Sequence, residues 1–371
     1  IMNVPFFRYD WFFQENREQI ISVHEEIMSS GRYVYGEYTQ KLEKQLAELC
    51  NRKFATTVGS CSDALFFALQ SVGIKDGDEV IVPPFSFVAT LDSILRCGGV
   101  PVFVDISPEH FMLNIAKLED AITQRTKAIV LVQLFGNCHP QQETINKIAQ
   151  KNGIPLIIDA AQAVGIKSNG ISSAKVGDIA CISFDPTKIV SAYGTGGAVL
   201  TDDENTYTTI KKLANHGLCN GTPEIAGYNS KISEQEAAYI LLQIEKLPQT
   251  MARMNEVSEK YLSQLNGIEE IVLPHKCCTE PNCHKFVIST DKRDELRNYL
   301  KDNGIETKIH YATLLSEQKI LKGRKFLKHN LSNAEKASKQ VLSLPIYPNI
   351  TDEEISYVCQ HIKAFFCKSR H

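Results

Sequence analysis

Short apolar runs alternate with amphipathic segments through much of the first two-thirds of the chain. The runs are rich in β-branched residues, as buried strands are. The predicted strands are 54–58, 80–82, 100–104, 128–134, 155–158 and 179–184. The helices predicted among them are 64–72, 115–123 and 140–152, with a further helix opening near 85–90. Strands separated by helices imply right-handed crossovers, so the pattern predicts an α/β fold with a mostly parallel sheet.

Helical patterns flank this region on both sides. Upstream are the predicted helices 11–28 and 40–49, the second with Thr39 as its N-cap, and downstream are 205–215 and 233–247. Pro248 and the helical run 251–265 predict a hinge. Beyond it we expect strands at 285–289 and 307–310 and helices at 293–303, 333–342 and 352–366. Residues 1–247 are therefore predicted to form a large domain with an N-terminal helical segment, and residues 248–371 a small α+β domain.

Composition narrows the functional classes. The 371 residues include 40 Lys and Arg against 43 Asp and Glu, so no excess of positive charge suggests a nucleic acid or membrane partner. No window has the apolar length of a membrane span, and no signal pattern opens the chain. The 11 cysteines lack regular spacing, which is typical of reduced thiols and predicts a cytoplasmic protein. Cys277, Cys278, Cys283 and His284 form no pattern with zinc spacing, so we expect no metal.

The stretch 182–201 contains one lysine, Lys188, between a strand-like run and the turn Gly194–Gly197. Desolvation beside small and β-branched residues would lower the pKa of this amine and make it nucleophilic. Asp159 ends the strand 155–158, and ligands bind at the carboxyl ends of parallel strands. A lysine and an aspartate facing one such site suit pyridoxal phosphate (PLP), which needs a Schiff-base amine and an acid at its ring nitrogen. Taken alone, Lys188 is equally compatible with a surface lysine beside a turn.

A second candidate site is the turn Gly59–Asp63, which joins a strand to a helix. Free N–H groups and the positive end of the helix dipole favour an anion there, and Ser62 adds a hydroxyl donor. Judged by itself, the same turn is also compatible with ordinary N-capping.

Several motifs, in this order, resemble one known family. They are VGSCSDALFFAL at 58–69, DEVIVPPFSFVATLDSILRCGGVPVFVDI at 78–106, IIDAAQAVG at 157–165, SFDPTK at 183–188 with GTGG at 194–197, and GYNSKISEQEAA at 227–238. Together they resemble the DegT/DnrJ/EryC1/StrS family of fold-type-I, PLP-dependent sugar aminotransferases. The resemblance extends from about Phe6 to Phe366.

The resemblance implies a role for each matching residue. Lys188 is the Schiff-base lysine, Asp159 pairs with the pyridine nitrogen, Phe87 stacks on the ring, and Gln162 lies beside the ring hydroxyl. Cys61 and Ser62 replace the usual Gly-Thr, so backbone N–H groups and a serine hydroxyl hold the phosphate together with Ser183. Asn229 reaches the phosphate of the neighbouring subunit, which implies a homodimer with shared active sites.

Four further residues are expected to contact the substrate. These are Tyr33, Lys231, His310 and Tyr311. Lys231 stands where family members usually carry arginine, and Ala312 stands where a proline commonly follows the tyrosine. A lysine is a point charge rather than a bidentate fork. Both departures affect the region expected to orient the substrate.

The resemblance predicts amino transfer from glutamate to a nucleotide-linked keto-deoxyhexose, in the biosynthesis of a lipopolysaccharide or another glycan. The segments 30–36 and 227–231 favour amination at C3, with a 4-keto sugar as the alternative. A non-catalytic regulator with the PLP fold would tolerate loss of Lys188 or Asp159, yet both are present. Related sugar dehydratases carry histidine in place of the lysine. A nicotinamide dehydrogenase is disfavoured because no strand leads into GxGxxG.

Overall fold

The computed structural model describes residues 2–368. The helices are α1 (Trp11–Ser30), α2 (Glu37–Leu49), α3 (Cys61–Ser71), α4 (Val88–Arg96), α5 (Leu118–Ala121), α6 (Gln142–Lys151), α7 (Glu204–Ala214), α8 (Glu234–Glu245), α9 (Leu247–Leu265), α10 (Arg293–Asp302), α11 (Ser332–Gln340) and α12 (Asp352–Lys368). The strands are β1 (Phe54–Val58), β2 (Glu79–Val82), β3 (Val100–Phe103), β4 (Thr126–Val132), β5 (Leu156–Asp159), β6 (Lys167–Ser168), β7 (Ile171–Ser172), β8 (Ile179–Ser183), β9 (Gly197–Thr201), β10 (Leu218–Cys219), β11 (Thr222–Pro223), β12 (Phe286–Ser289), β13 (Leu327–Lys328) and β14 (Val341–Leu344).

The central sheet has the strand order β1-β9-β8-β5-β4-β2-β3-β13. β9 is antiparallel to both of its neighbours, and the other neighbouring pairs are parallel. Successive residues such as Ile157 and Ile158 are buried in separate apolar cores on the two faces. A parallel sheet covered on both faces needs apolar residues at consecutive positions, which explains the continuous apolar runs. The predicted mostly parallel sheet is confirmed.

This topology brings several chain segments to one edge of the sheet. The strands β1, β2, β4, β5 and β8 all end there, and β9, which runs the opposite way, begins there at Gly197. Ser62, Phe87, Asp159 and Lys188, which end a strand or follow one, therefore lie at the same edge. Polar side chains separated by more than a hundred residues can then share one site.

The small sheet differs from its prediction. β12 pairs antiparallel with β14, whereas the segment 307–310, predicted as a strand, makes only an isolated bridge from Lys308 to Ser343. Residues 341 and 342, predicted to end a helix, instead open β14, all four of whose residues are buried. No turn residue separates the periodic apolar positions of α11 from those of β14. The predicted helix was therefore too long at its C-terminal end.

The start of α2 also differs from its prediction. α2 begins at Glu37, and Thr39 lies inside it rather than capping it. The buried carboxylate of Glu234, at the start of α8, accepts hydrogen bonds from the backbone N–H groups of Gly36, Tyr38 and Thr39 and from the Thr39 hydroxyl. A cap that comes from a residue two hundred positions away leaves no local signal.

Pro248 lies in the first turn of α9, where proline is well tolerated because the first N–H groups of a helix have no internal partner. The domain boundary after residue 247 stays a prediction. Residues 1 and 369–371, at the outer ends of the two predicted domains, lie outside the described residues. Within 2–368, no helix combines the length and the apolar character needed to cross a membrane.

Candidate active site

A cavity of about 470 Å³ opens at the edge where the parallel strands end. Nine of the residues predicted from the sequence line it: Cys61, Ser62, Phe87, Asp159, Gln162, Ser183, Lys188, His310 and Tyr311. The folded chain thus brings together residues from five separate segments of the sequence. Tyr33, Asn229 and Lys231 do not line this cavity.

Lys188 lies in the turn after β8. The Asp185 carboxylate holds this turn by accepting hydrogen bonds from the Thr187 N–H (2.9 Å) and hydroxyl (2.6 Å), and the Lys188 N–H donates to the Asp185 carbonyl (2.9 Å). Burial lowers the pKa of the Lys188 amine, and the nearby Cys61, Asp185 and Asp159 oppose that shift. The amine is therefore more easily deprotonated than a surface lysine, as a nucleophile or base requires.

Asp159 is the last residue of β5 and is 4% exposed. Its carboxylate accepts hydrogen bonds from the Thr90 hydroxyl (2.8 Å) and the Ala161 N–H (3.2 Å), and the Thr90 and Ser86 hydroxyls lie 2.9 Å apart. Burial raises the pKa of Asp159, while these two donors and Lys188 favour the ionised form. Thr90 was missed as a site residue, although it lies in the quoted motif 78–106, because no local pattern shows which side chain a helix residue contacts.

The start of α3 forms an anion cradle beside these two residues. Ser60 caps the helix by accepting a hydrogen bond from the Asp63 N–H (3.1 Å), and the first N–H groups of a helix have no internal partner. Gly197 passes so close that a Cβ atom there would lie 2.5 Å from the Ser60 carbonyl carbon. Only glycine allows β9 to approach this turn. The Cys61 thiol is buried, and that burial raises its pKa, so the thiol stays neutral. The backbone N–H groups and the Ser62 hydroxyl are the stronger donors, because a thiol S–H donates only weakly.

Gln162 is fixed at both ends of its side chain. Its amide nitrogen donates to the Tyr311 hydroxyl (2.9 Å), and its amide oxygen accepts from the Phe135 N–H (2.8 Å). Phe87 is 60% exposed and presents its ring to the cavity, where a planar ligand would cover it. The Ser183 hydroxyl accepts a hydrogen bond from the Asp185 N–H (3.2 Å) and keeps its own proton for donation.

Comparison with known proteins decides the family. The sequence profile of the DegT/DnrJ/EryC1/StrS aminotransferase family matches residues 14–363. The chain is a member of this family. Relatives include a "Pleiotropic regulatory protein" of Geobacillus stearothermophilus, 36% identical over 98% of this chain and 99% of its own length. Another is the UDP-2-acetamido-2-deoxy-3-oxo-D-glucuronate aminotransferase of Pseudomonas aeruginosa, 33% identical over 92% of this chain and 95% of its own.

A solved structure supports the same assignment. The crystal structure of ntda from Bacillus subtilis, with bound pyridoxamine phosphate (PMP), matches with a TM-score of 0.92 and 31% identity over 99% of this chain and 86% of that one. The fold class, the aminotransferase activity and the PLP cofactor predicted from the sequence are confirmed by membership of the DegT/DnrJ/EryC1/StrS family. The site fits that cofactor in its donor set: a buried amine, a paired carboxylate and a helix start that Gly197 leaves open.

The residues predicted to contact substrate divide into two groups. His310 and Tyr311 line the cavity, but the Nδ1 atom of His310 is paired with the Ser343 hydroxyl (2.8 Å) and the Tyr311 hydroxyl with Gln162. Burial, with the charges of nearby lysines, lowers the pKa of His310 to about 3, so its ring is neutral. Both residues therefore make structural contacts within the chain in addition to lining the cavity.

Tyr33, Asn229 and Lys231 lie on the outer surface of the single chain. The Tyr33 carbonyl accepts from the Glu234 N–H (2.9 Å), and the Lys231 ammonium lies 5.6 Å from the centroid of the Tyr35 ring. Asn229 forms a backbone bridge to Asn215. Their predicted roles stay predictions.

Sequence reasoning also missed several residues that line the cavity on the side of the small sheet. They are Phe6, His284, Lys285 and Lys308. Phe6 belongs to an N-terminal segment that reaches this place because Val4 forms a parallel bridge with Ile305. Among residues 2–368, no group of three or more His, Cys, Asp or Glu side chains is arranged to hold a metal ion, and His284 faces the cavity instead.

Proposed function

We propose that this aminotransferase converts a nucleotide-linked keto-deoxyhexose into the corresponding amino sugar, with glutamate as the donor and C3 as the aminated carbon. The observation that carries the proposal is the cavity in which the Lys188 amine and the partnered Asp159 carboxylate lie beside the start of α3. The name of the P. aeruginosa relative, which specifies a 3-oxo sugar linked to UDP, supports both the substrate class and the position.

Different residues of the chain would hold different parts of the cofactor. Lys188 would hold PLP at its aldehyde, Asp159 at its ring nitrogen, and the N–H groups at the start of α3 at its phosphate. The bound cofactor supplies an electron sink for a carbanion. The lowered pKa of Lys188 favours a neutral amine, whose Nζ atom accepts a proton from the α carbon of the donor. In the second half of the reaction, the same atom delivers a proton to the sugar carbon that receives the nitrogen.

Asp159 would keep a proton on the ring nitrogen of the bound cofactor, which requires the ionised carboxylate. Thr90 and the Ala161 N–H supply hydrogen bonds that favour the ionised form against the effect of burial. Gln162 is held by Tyr311 and Phe135, so it presents a fixed face beside the ring. Fixed partners of this kind reduce the reorganisation needed during the reaction.

The regiochemistry is tested with PMP-loaded protein and a panel of 3-keto and 4-keto deoxysugar nucleotides. The product is read by mass and by NMR, which assigns the carbon that carries the new nitrogen. Amination of the 3-keto members is expected, and Lys188→Ala protein is the control for uncatalysed transfer. A product aminated only at C4 would refute the C3 assignment while leaving the aminotransferase activity intact.

A homodimer with shared sites is part of the proposal. Large apolar side chains are exposed on neighbouring segments of the single chain: Met28, Tyr33, Val34, Tyr35 and Tyr228. Exposed apolar patches of this kind favour an interface. Asn229 lies next to the patch, where a partner subunit would bring it to the second cavity.

Mixing Lys188→Ala and Asn229→Asp proteins tests the shared site. After subunit exchange, each hybrid dimer has one site with both lesions and one with neither. Activity well above that of either parent is expected. A monomer in sedimentation that still binds PLP tightly would contradict the dimer.

The name of the G. stearothermophilus relative favours a second candidate, a regulator that uses the PLP fold for binding. The presence of both Lys188 and Asp159 favours the enzyme. Turnover of any ketosugar nucleotide with glutamate separates the two, because a regulator would bind the cofactor without net transfer. We place the protein in the cytoplasm because its 11 cysteines are unpaired.

A further inference from the structure

Two lysines and two histidines form one side of the cavity, which we call the cationic wall: His284, Lys285, Lys308 and His310. His284 and Lys285 precede β12, and Lys308 lies two residues before His310. The two segments are joined through β14, since Lys308 exchanges two backbone hydrogen bonds with Ser343 (3.2 and 2.8 Å), and Ser343 pairs with Val287 of β12.

Both ammonium groups lie close to the ring of Phe6. The Nζ atoms of Lys285 and Lys308 are 5.2 and 5.6 Å from the centroid of its ring. The Phe6 N–H donates to the Glu306 carboxylate (3.0 Å), which fixes the segment in place. An aromatic face attracts a cation, but it carries no net charge and leaves the ammonium hydrogen-bond donors available.

The cationic wall has no counter-charge of its own. Neither Lys285 nor Lys308 forms an ion pair within residues 2–368. Asp185 is the acid that interacts with Lys285 and opposes the lowering of its pKa, but the two side chains form no ion pair. Burial and the charges of Lys188 and Lys308 lower the pKa of Lys285 to about 7. Like charges held together in a cavity destabilise the empty protein, which a bound anion would relieve.

His284 provides an independent observation. The residue is 4% exposed, lines the cavity, and its Nε2 atom is buried without a hydrogen-bond partner in the described chain. A buried polar atom without a partner is costly, and such atoms in native proteins usually await a water molecule or ligand. The unsatisfied atom and the two unpaired lysines lie in the same wall.

We propose that the cationic wall binds a carboxylate or phosphate group carried by a substrate, in addition to the cofactor phosphate held at the start of α3. This inference rests on the proposed function, because it concerns the same cavity. It restricts the substrates to those that carry an anionic group near the reacting carbon. The anion has two possible sources. It is either a carboxylate of the amino donor or an acidic group on the sugar itself.

Equilibrium binding to the PLP-loaded protein tests the proposal with probes that do not react. Glutarate represents the donor, and glucose 6-phosphate and UDP-glucuronate represent acidic sugars, with UDP-glucose as the neutral control. Wild-type protein is compared by calorimetry with Lys285→Met and Lys308→Met, which keep the apolar stem and remove the charge. Lys147→Met is the matched control, because Lys147 is an exposed lysine of α6 outside the cavity.

At least one anionic probe is expected to bind each cavity variant about tenfold more weakly than wild type, as for loss of one charge-assisted hydrogen bond. Lys147→Met should match wild type, and Lys285→Arg should retain most of the affinity. An effect on glutarate alone assigns the anion to the donor. An effect on glucose 6-phosphate, or on UDP-glucuronate but not UDP-glucose, assigns it to the sugar.

Equal binding of every probe to wild type and to both methionine variants overturns the proposal, as does absence of binding of all anionic probes to wild type. Melting curves of the loaded proteins identify a variant that fails to fold. If Lys285→Met fails to fold, the binding results of Lys285→Arg and Lys308→Met test the proposal instead. Failure of the proposed function is distinguishable. In that case no ketosugar nucleotide is aminated, while lysine-dependent anion binding persists.

Discussion

The two sides of the cavity are built on different principles. One side, which we call the strand-end wall, consists of Thr90, Asp159, Ser183 and Lys188 at the ends of β5 and β8 and the start of α4. Apart from the Lys188 amine, its polar groups are hydrogen-bonded to neighbours in the same chain. The cationic wall carries positive charges and a buried ring nitrogen that lack such partners.

The difference separates two tasks. A wall whose groups already have partners is preorganised, and its geometry does not change when a ligand enters. A wall whose groups lack partners is completed by the ligand and therefore discriminates among ligands by charge. We infer that the strand-end wall serves the chemistry common to the DegT/DnrJ/EryC1/StrS family, and the cationic wall the choice of substrate in this member.

The largest effect is expected from Lys188→Ala, which removes the reacting amine from the strand-end wall. Turnover should fall by about four orders of magnitude or more, while PLP still binds without a covalent link because the phosphate cradle remains. Borohydride reduction followed by peptide mapping should place the pyridoxyl group on Lys188 in wild type. A Lys285→Met control should give the same adduct, and an adduct on any other lysine would contradict the assignment.

Asp159→Asn should have the next largest effect. The amide cannot hold a proton on the ring nitrogen as the carboxylate does, so we expect a loss of about 10²–10³-fold in kcat. The fold and the cofactor phosphate contacts should persist, which circular dichroism and PLP titration can check. An unchanged rate would mean that another group protonates the ring.

Thr90→Val tests whether the partners within the strand-end wall matter. The Thr90 hydroxyl lowers the pKa of Asp159, so its loss should raise that pKa further and shift the acid limb of the kcat profile to higher pH. At neutral pH the loss should be about tenfold. Thr90→Ser keeps the hydroxyl and should restore the wild-type profile. If Thr90→Val changes KM but not the pH profile, the hydroxyl does not act through Asp159.

The smallest effect concerns the stability of the cofactor-free protein. The folded pKa of Lys285 is about 7, against 10.5 for an ordinary lysine, so between these values the unfolded chain binds more protons and stability rises with pH. Lys285→Met should remove this rise. Its Tm should exceed that of wild type by a few degrees below pH 7, since 1 kcal/mol moves the Tm of a chain this long by about 2 °C.

The advantage of Lys285→Met should fade towards pH 10. Melting curves between pH 6 and 10 measure it, with Lys147→Met as the control for loss of a surface charge. A Tm difference between Lys285→Met and wild type that does not vary with pH would mean that the surroundings of Lys285 do not disfavour its charged form.

Sequence reasoning worked best where the signal is local. β1 was predicted at its observed bounds, and the acid that ends β5 and the lysine after β8 were expected at one edge of the sheet, where they line the same cavity. Family resemblance supplied Gln162 and Phe87. All of these belong to the half of the site built from consecutive strand–loop units.

The rest depends on contacts between distant segments. The cationic wall was missed because Lys285 and Lys308 are brought together through β14, which was assigned in part to a helix. Phe6 was missed because its position depends on the bridge between Val4 and Ile305. Thr90 was missed because its role depends on which side of α4 faces β5. No short stretch of sequence shows these contacts between distant residues.

The capping of α2 by Glu234 has a consequence for the chain as it leaves the ribosome. When α2 emerges, the carboxylate that satisfies its first N–H groups has not yet been synthesised. A Cβ atom on residue 36 would also displace that carboxylate from the N–H groups it caps. The first turn of α2 can be completed only after some two hundred further residues have been added, so this part of the molecule is finished late in translation although it is made early.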